Sequence, residues 1–419
     1  MNVKEKIAQA NKTAVTPLIN ADPQWIGVEK AIDCIDGFTE NTVLHSGPPI
    51  AYEDMCQLHK RGMRNAVLLE GFAKTEKEAE ALILNGKIRI DSALNYNTVG
   101  SGTGIVSKSV PLLVVQDKNT LKKACVFPHE GKFGGGFCGW GVYSEEIKEN
   151  LVYMQNELFA DINGVLKDVG GLPLKEIIAN GLEMGDENHS SQTAVDALFI
   201  RQLIPLALRC KNSDELLTYF ASSNRFFHNF GQASFKSAIL SANDVPYATM
   251  VTAAGGNGVE YGIKVAGLDE WFTAPSPMIR GKYMVEGASE ANQLPWIGDS
   301  SIVEVFGLGG LSSGASPKVC SWRNQTAEEG IALTESMYDI CISQHEQFKI
   351  PQLNYRGAPA GIDILKVYKT GILPVINGGM INRNGGWIGA GCTRIPLECF
   401  EKATKAYAKK YQVQIGELC

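Results

Sequence analysis

Two spacings of apolar residues alternate along the first third of the chain. Runs with apolar residues at every third or fourth position predict amphipathic helices, and short runs rich in valine, isoleucine and leucine predict buried strands. This alternation is typical of an α/β domain, which we place at residues 1–143. Its predicted helices cover residues 1–15, 52–63, 75–84 and 118–125, and its predicted strands cover residues 65–72, 87–90 and 110–115.

Helical spacing becomes almost continuous after residue 143. Ser144 and Ser213 precede apolar helical runs as N-cap residues do, and Pro173 suits the first turn of another helix. The sequence therefore predicts a multidomain α/β (α+β) protein, in which a helical domain at residues 144–245 separates two α/β domains, the second at residues 246–419. In that second domain the predicted strands cover residues 258–267, 301–310 and 371–378, and two long predicted helices cover residues 326–348 and 396–411.

Charge and apolar content exclude several classes of protein. The 419 residues carry a net charge of −6, which argues against a general affinity for nucleic acid or for an anionic membrane surface. The longest apolar runs, such as residues 110–115, are too short to cross a bilayer, and residues 1–15 lack the apolar core of a signal peptide. We therefore expect a cytoplasmic protein with no nucleic acid partner and no membrane partner.

Sequence motifs for metals and cofactors are absent. The ten cysteines never form a C-x-x-C pair, and the chain has no P-loop, no H-E-x-x-H and no G-x-S-x-G motif. Three glycines in VGSGTGIV, residues 99–106, follow a G-x-G-x-G spacing, without a ribose-binding acid at the expected distance. We therefore expect reduced thiols, no bound metal and no cofactor.

Glycine is unusually frequent, at 44 of the 419 positions. Glycine-rich loops let backbone N–H groups come close to an anionic ligand. Six of the fifteen residues from 377 to 391 are glycine, a stretch that begins at Asn377 and includes Gly389 and Gly391. Arg356 and Arg394 lie on either side, and guanidinium groups suit a carboxylate or a phosphate. The alternative is a folded-back loop whose arginines pair with surface acids.

The segment MGDENH, residues 184–189, concentrates two carboxylates and one of the six histidines. Asp186 and Glu187 precede an apolar helical run, so they suit a helix start, where carboxylates accept hydrogen bonds from free N–H groups. A second interpretation places Asp186, Glu187 and His189 in a cleft as ligand contacts or a proton relay, which makes them catalytic candidates. A metal site is the third interpretation, and no second ligand pair supports it.

Polar residues beside predicted strands supply further candidates for substrate binding. His45 lies in the tight turn LHSGPP, where its ring can contact either an anionic substrate or a turn carbonyl. Glu70 follows a predicted buried strand, where open α/β sheets collect ligands, and a solvated loop is the alternative. Asp299 opens a second glycine-rich segment near a predicted strand.

Nine segments of the chain occur in the order found in the YlbE-like family, which the sequence resembles over nearly its whole length. Asn97 and Asn257 lie in two of these segments and join the candidates for substrate binding. The segments are LHSGPP, LLEGFAK, NTVG, MGDENH, NGVEYGIKVAGLDEWFTAP, GDSSIVEVFGLGG, PQLNYRGAPAGIDI, TGILPVIN and IGAGCTRIPLECF.

The resemblance implies a subunit of a multi-subunit carbamoyl-transferring enzyme similar to oxamate carbamoyltransferase. Such an enzyme converts oxalurate and phosphate to oxamate and carbamoyl phosphate during allantoin breakdown. The resemblance also implies two partners, an FdrA-like subunit and a further small subunit. A homo-oligomer is an additional expectation. Both substrates are small anions, the ligands that the glycine-rich loops favour.

Some positions depart from the family pattern. Leu94, Asn95 and Tyr96 stand where the family usually has histidines, and Gly256 stands where an arginine is common. These departures favour an alternative, a non-catalytic scaffold or ligand-sensing subunit of an FdrA-like complex that acts on a different small anion. The retained segment at residues 184–189 favours the enzyme subunit, which is the function we predict.

Overall fold

The computed structural model describes residues 2–418. Helices and strands alternate along most of this length. The α-helices are α1 (Val3–Ile19), α2 (Ala31–Cys34), α3 (Gln57–Leu69), α4 (Glu76–Leu84), α5 (Gly136–Trp140), α6 (Glu145–Tyr153), α7 (Ala160–Val169), α8 (Lys175–Glu183), α9 (Thr193–Ala207), α10 (Ser213–Ser222), α11 (Phe227–Ile239), α12 (Ile302–Phe306), α13 (Pro317–Trp322), α14 (Ala327–Tyr338), α15 (Ile364–Thr370), α16 (Leu397–Tyr411) and α17 (Ile415–Leu418). The strands are β1 (Pro23–Lys30), β2 (Thr42–His45), β3 (Arg89–Ser92), β4 (Thr98–Val99), β5 (Pro111–Asp117), β6 (Lys123–Val126), β7 (Leu172–Pro173), β8 (Val251–Asn257), β9 (Glu260–Val265), β10 (Phe272–Pro275), β11 (Arg280–Tyr283), β12 (Ile297–Gly298), β13 (Cys341–Ile350), β14 (Arg356–Ile362), β15 (Val375–Ile381) and β16 (Trp387–Arg394).

Within the described residues the strands form five sheets. The largest has the order β4-β6-β5-β1-β7, in which β4 and β6 are parallel and the other neighbours are antiparallel. The sheets β10-β9-β8-β12 and β11-β16-β15 are antiparallel, as is the pair β13-β14, whereas β2 and β3 are parallel. The predicted mixed α/β architecture is confirmed. No helix between residues 2 and 418 is long and apolar enough to cross a membrane.

Helix α11 is buried around nearly its whole circumference and packs against β5, β6 and α12. Its Phe230 ring lies 4.7 Å from the ring of Phe199 and 5.1 Å from that of Trp25, measured between centroids. Burial of one such aromatic side chain stabilises a fold by about 1.5–3 kcal/mol. The helix therefore links the first sheet to the C-terminal elements and gives the residues along it fixed positions.

Elements of the three predicted domains are interleaved in the structure. Strand β7 lies in the predicted helical domain, yet it pairs with β1 at the edge of the first sheet. Helix α1 lies in the predicted first domain, yet it packs on β13 and β14, where Ile7, Val15 and Leu18 enter the largest hydrophobic core together with Ile350. The domain boundaries after residues 143 and 245 stay a prediction.

Two local predictions in the first third of the chain are wrong. The strand predicted at residues 65–72 is the second half of α3, where Ala66 and Val67 face a hydrophobic core from a helix. The helix predicted at residues 118–125 is a turn followed by β6, which pairs with β5. The Asp117 carboxylate holds that turn by accepting from the Thr120 N–H at 2.8 Å. Both predicted segments have eight residues, too few for length to decide between helix and strand.

Two C-terminal predictions are also wrong in part. The segment predicted as a strand at residues 301–310 contains α12, which ends at Gly307 with a φ of +123°. The long helix predicted at residues 326–348 ends early, and its second half becomes β13 because it pairs with β14. The change at α12 matters for function, because it turns the Glu304 side chain toward His189.

Candidate functional site

A cavity of about 250 Å³ lies where residues of all three predicted domains meet, and we call it the histidine cavity. Pockets for drug-sized ligands have volumes of about 300–1,000 Å³, so this one suits a small metabolite. Within the described residues no aspartate or glutamate lines it. Its lining includes the polar side chains of Ser101, His129, His189, Asn224, Arg225, His228 and Ser300, and the aromatic walls Trp140, Trp296 and Trp387.

His189 is held in one orientation by a buried carboxylate. Its Nδ1 lies 2.8 Å and 2.9 Å from the two carboxylate oxygens of Glu304, and both side chains are buried. Glu304 Oε1 also accepts from the N–H groups of Gly310 at 2.7 Å and Asn377 at 3.1 Å, so this carboxylate acts as an acceptor only. The proton therefore belongs on His189 Nδ1, which leaves the Nε2 lone pair free for proton transfer at the cavity.

His228 and His129 supply two further imidazole rings. The His228 ring stacks on the His189 ring with centroids 5.5 Å apart and an angle of 27° between the planes. Burial lowers the pKa of His228 well below its usual range, and repulsion from the Arg225 guanidinium lowers it further. Burial also lowers the pKa of His129, whose Nδ1 has no hydrogen-bond partner among the described residues. Both rings are therefore neutral near pH 7.

Arg225 reaches the cavity from the loop between α10 and α11, with its backbone in the left-handed region at a φ of +62°. For a residue other than glycine, this backbone conformation costs about 1–2 kcal/mol. The Asp196 carboxylate holds the conformation, because it accepts from the N–H groups of Arg225 at 2.9 Å and Phe227 at 3.0 Å. Gln192 and the His189 carbonyl accept from Nε and Nη2, which leaves other guanidinium N–H groups for a ligand.

Asp186 fixes the start of α9. Its Oδ2 accepts from the Ala194 N–H at 2.5 Å and the Val195 N–H at 3.0 Å, and its Oδ1 accepts from the Ser191 hydroxyl at 2.6 Å. These contacts match the helix-start interpretation of the segment. Asp186 does not line the histidine cavity, and a catalytic role for it stays a prediction.

Replacing Asp186 with alanine is expected to destabilise the protein by about 1–2 kcal/mol, the usual cost of removing a capping carboxylate. Asparagine keeps one oxygen for the N–H groups of α9, so Asp186→Asn should cost less than Asp186→Ala. Urea unfolding of the two variants and the wild type, followed by circular dichroism, measures the order. Equal stability of all three proteins would contradict this account of the cap.

Glu187 holds the loop that carries His189. Its carboxylate accepts from the N–H groups of His189 at 3.0 Å, Ser190, and Ser191 at 2.8 Å, and from the Asn377 side chain at 3.3 Å. The carboxylate is fully buried, and burial raises its pKa. Glu187 does not line the cavity, so its contacts describe a support for His189, and a catalytic role stays a prediction.

Asp299 joins two glycine loops beside the cavity. Its Oδ1 accepts from the Gly47 N–H at 2.6 Å and its Oδ2 from the Gly100 N–H at 2.9 Å. Burial raises the pKa of Asp299 to about 7, although these N–H groups and the charge of Lys236 oppose the shift. Gly47 has a φ of +79°, and a Cβ there would lie 2.3 Å from the backbone carbon of Gly256. Asp299 thus positions its neighbour Ser300, which does line the cavity.

Four other candidates, two of them beside predicted strands and two from the family segments, do not line the histidine cavity. The His45 ring contacts the Ser46 carbonyl at 2.8 Å, as one of its two interpretations predicts. Glu70 accepts from Ser107 at 2.6 Å, Asn97 donates to the Cys34 carbonyl at 3.2 Å, and Asn257 donates to the Pro48 carbonyl at 3.0 Å. These side chains fix loops, and substrate binding by them stays a prediction.

The glycine-rich C-terminal stretch forms strands β15 and β16. A Cβ on Gly389 would lie 2.4 Å from the Lys282 carbonyl oxygen and one on Gly391 2.2 Å from that of Arg280, so these glycines allow β11 to pack closely. Arg394 donates to the Leu373 carbonyl at 2.7 Å. The Arg356 guanidinium lies 3.4 Å from the centroid of the Tyr338 ring.

Neither arginine lines the histidine cavity, and neither do Gly389 and Gly391. Asn377 lies one layer behind it, since its N–H donates to Glu304 and its side chain to Glu187. Anion binding by these residues stays a prediction.

The sequence interpretation missed His129, Arg225 and His228. The signal in the sequence was modest: the segment NRFFHN, residues 224–229, places an arginine and a histidine beside two phenylalanines. In the structure the phenylalanines are buried, whereas Arg225 is exposed and His228 is half-buried. The spacing along the chain gave no sign that these residues meet His189.

Known proteins resemble this chain over nearly its whole length. The oxamate carbamoyltransferase subunit AllG of Escherichia coli (strain K12) is 34% identical over 413 residues, which cover 96% of this chain and 98% of that protein. A family model described as oxamate carbamoyltransferase subunit AllG matches residues 88–300. The chain belongs to the AllG family. The uncharacterized protein YahG of the same strain is 32% identical over 416 residues, which cover 98% of this chain and 88% of YahG.

A solved structure supports the same fold for this AllG family member. A crystal structure of a conserved protein of unknown function from Enterococcus faecalis V583 superposes with a TM-score of 0.91 at 30% identity, and it covers 97% of this chain and 99% of that chain. The residues matched by the AllG family model include His129, His189, Arg225 and His228. Most chemistry-bearing residues of the histidine cavity therefore lie within the matched segment.

Proposed function

We propose that this chain is a subunit of a carbamoyl-transferring enzyme and that its histidine cavity binds the ureido substrate, an anion of the oxalurate class. The observation that carries the proposal is the His189–Glu304 pair, which leaves Nε2 of His189 free at a cavity that no described carboxylate lines. The similar AllG protein of Escherichia coli is named as an oxamate carbamoyltransferase subunit, which supports this class of reaction.

The reaction requires one proton to move. A phosphate oxygen attacks the carbamoyl carbon of oxalurate, the bond from that carbon to the imide nitrogen breaks, and oxamate leaves as an amide. The proton lost by hydrogen phosphate balances the proton gained by the leaving nitrogen. In the proposed mechanism His189 Nε2 accepts the first proton and delivers the second, while Glu304 stabilises the imidazolium formed in between.

Charge and hydrogen bonding in the cavity suit the two anions. In our proposal the free N–H groups of Arg225 bind the substrate carboxylate, since a guanidinium recognises a carboxylate through paired hydrogen bonds. The hydroxyls of Ser101 and Ser300 supply further donors. The indole rings of Trp140, Trp296 and Trp387 line the same cavity and lower the polarity around these charge-assisted contacts.

Replacing Arg225 with glutamine is expected to raise the KM for oxalurate by about 10–100-fold, because a hydrogen bond to a charged group contributes about 1.5–3 kcal/mol. Turnover at saturating substrate should change much less, and Arg225→Lys should recover part of the affinity. Steady-state kinetics of the assembled enzyme separates the two parameters. A variant that lowers kcat while KM stays at the wild-type value would contradict a binding role.

The proposed enzyme has more than one kind of subunit. The AllG protein of Escherichia coli is itself named as a subunit of oxamate carbamoyltransferase, which supports this part of the proposal. We propose an FdrA-like subunit and a further small subunit, with phosphate as co-substrate in allantoin breakdown. A cytoplasmic location and a homo-oligomeric state stay predictions.

The alternative scaffold function rests on the departures at residues 94–96 and at Gly256. None of these residues lines the histidine cavity, and residues 94–96 line a different cavity, so the departures remove nothing from the proposed site.

A binding experiment tests the proposed function. Oxalurate is titrated into the purified chain, alone and together with its FdrA-like partner, by isothermal calorimetry. The wild type and the surface control Lys167→Met should bind oxalurate with equal affinity, whereas Arg225→Gln should bind it at least about tenfold more weakly. Equal binding by Arg225→Gln, or no binding to either preparation, would overturn the proposal.

A further inference from the structure

A second cavity, of about 310 Å³, lies farther along α11, and we call it the lysine cavity. Four lysines line it, together with two aspartates and several amide and hydroxyl groups. The lysines are Lys122, Lys123, Lys236 and Lys264. Lys236 follows His228 by eight positions on the same helix, a separation of about 12 Å along the axis at 1.5 Å per residue. The two cavities are therefore neighbours, but a ligand in one is too far from the other to react there.

None of the four lysines forms a direct salt bridge in the described part of the chain, although the Asp244, Asp269 and Asp91 carboxylates act on Lys264 from farther away. Among the described residues, none of their ammonium nitrogens lies within 4.0 Å of a carboxylate oxygen, although salt bridges occur elsewhere in the chain. The lining aspartates are Asp36 and Asp244, so positive groups outnumber negative ones by four to two. A concave surface lined by unpaired positive charges has a positive electrostatic potential, which attracts an anion.

Lys236 is the residue least easily explained by the fold alone. It is only 2% exposed, and its Nζ makes one hydrogen bond to the protein as described, to the Leu94 carbonyl at 3.1 Å. An ammonium has three N–H donors, so two have no acceptor in the described residues. Burial lowers the pKa of Lys236 to about 7, the charge of Lys264 lowers it further, and Asp299 opposes the shift. Burying an ammonium group whose N–H donors have no acceptor costs free energy, and a ligand in the cavity can supply the missing acceptors.

Neutral donors complete the surroundings. Asn95, Asn97 and Thr252 line the same cavity, where the Thr252 hydroxyl and the second N–H of the Asn95 amide can bind an oxyanion beside the lysines. The Asn97 amide already donates to the Cys34 carbonyl, and the first N–H of Asn95 donates to Asp91. The mouth of the cavity carries Lys122 and Lys123, which are exposed and can approach an entering ion. Charged groups thus run from the surface to the buried Lys236.

We propose that the lysine cavity binds a small oxyanion of the phosphate class, as a site separate from the histidine cavity. This inference goes beyond the proposed function, because it assigns an additional binding site that the carbamoyl-transfer step does not use. The compact charge of each lysine suits a phosphate oxygen, which needs no planar bidentate partner.

The test uses inorganic phosphate and sulfate, each titrated into the full chain by calorimetry at pH 6.5, where Lys236 is largely protonated. Sulfate keeps one charge state across this range and so separates site effects from phosphate titration. Lys167 is exposed and lies outside both cavities, so the wild type and Lys167→Met should bind each anion with the same affinity. Lys236→Met should bind at least about tenfold more weakly, as loss of a charged hydrogen bond predicts.

Two further variants keep the outcome decisive. Lys123→Met changes an exposed position that cannot disturb the core, and it should also weaken binding. Arg225→Gln changes the histidine cavity and should leave this binding event in place, so failure of the proposed function is distinguishable from failure of this site. The inference is overturned if both anions bind Lys236→Met and Lys123→Met as tightly as wild type, or if neither anion binds the folded wild type.

Discussion

Replacing His189 with glutamine is expected to lower the kcat of carbamoyl transfer by about 10²–10⁴-fold in the assembled enzyme. The reason is geometric: His189 Nε2 is the group that the Glu304 hydrogen bond orients toward the cavity. Glutamine fills similar space but cannot accept and return a proton. The measurement is steady-state formation of carbamoyl phosphate from oxalurate and phosphate at saturating concentrations of both.

Glu304→Gln provides a matched test of the same pair. The amide can donate to His189 Nδ1 and so stabilise the tautomer with its proton on Nε2, which cannot act as a base. The variant should therefore lose turnover while it still binds oxalurate with nearly wild-type affinity. Activity of His189→Gln within threefold of wild type would remove His189 from the mechanism, whatever the result for Glu304→Gln.

Replacing Glu187 with alanine is expected to lower the free energy of unfolding by about 4 kcal/mol or more. The variant leaves three buried N–H groups without their acceptor, and each buried unsatisfied group costs about 1–3 kcal/mol. Those groups belong to His189, Ser190 and Ser191, so the loop that carries His189 should also lose its order. Guanidinium unfolding followed by tryptophan fluorescence measures the change.

Glu183→Ala is the control for this prediction, because Glu183 is an exposed acid only four residues earlier. Its free energy of unfolding should stay within about 0.5 kcal/mol of wild type, as is usual for surface substitutions. If Glu187→Ala were as stable as Glu183→Ala, the three N–H groups would have other acceptors, and the support that we describe for His189 would be wrong.

Local signals in the sequence predicted the elements whose ends are fixed by their own residues. Ser144 caps α6 by accepting from the Ile147 N–H at 3.2 Å, as its position before an apolar helical run predicts. Residues 118–125 were assigned to the wrong element because β6 depends on its pairing with β5 on one side and β4 on the other. Such pairing depends on distant residues, which local spacing does not report.

The candidate site was predicted only in part, for the same reason. His189 was found because it lies in a short segment rich in titratable groups, whereas Arg225 and His228 lie in a different segment and join it only in the folded chain. The glycine pattern, in contrast, suggested binding residues that do not line the cavity. Gly389 and Gly391 suggested an anion loop, yet a Cβ at either position would strike the neighbouring strand β11. Close packing of strands and close approach of a ligand both require glycine, and sequence alone does not separate them.

The most direct test of the central claim follows a labelled carbamoyl group. Oxalurate with ¹³C in the ureido carbonyl is incubated with phosphate and the assembled enzyme, and ¹³C and ³¹P NMR spectra are recorded for the wild type and for His189→Gln. The account predicts a ¹³C signal split by phosphorus, the mark of carbamoyl phosphate, with the wild type, and strongly slowed appearance of that signal with the variant. Equal rates of label transfer by the two proteins would contradict it.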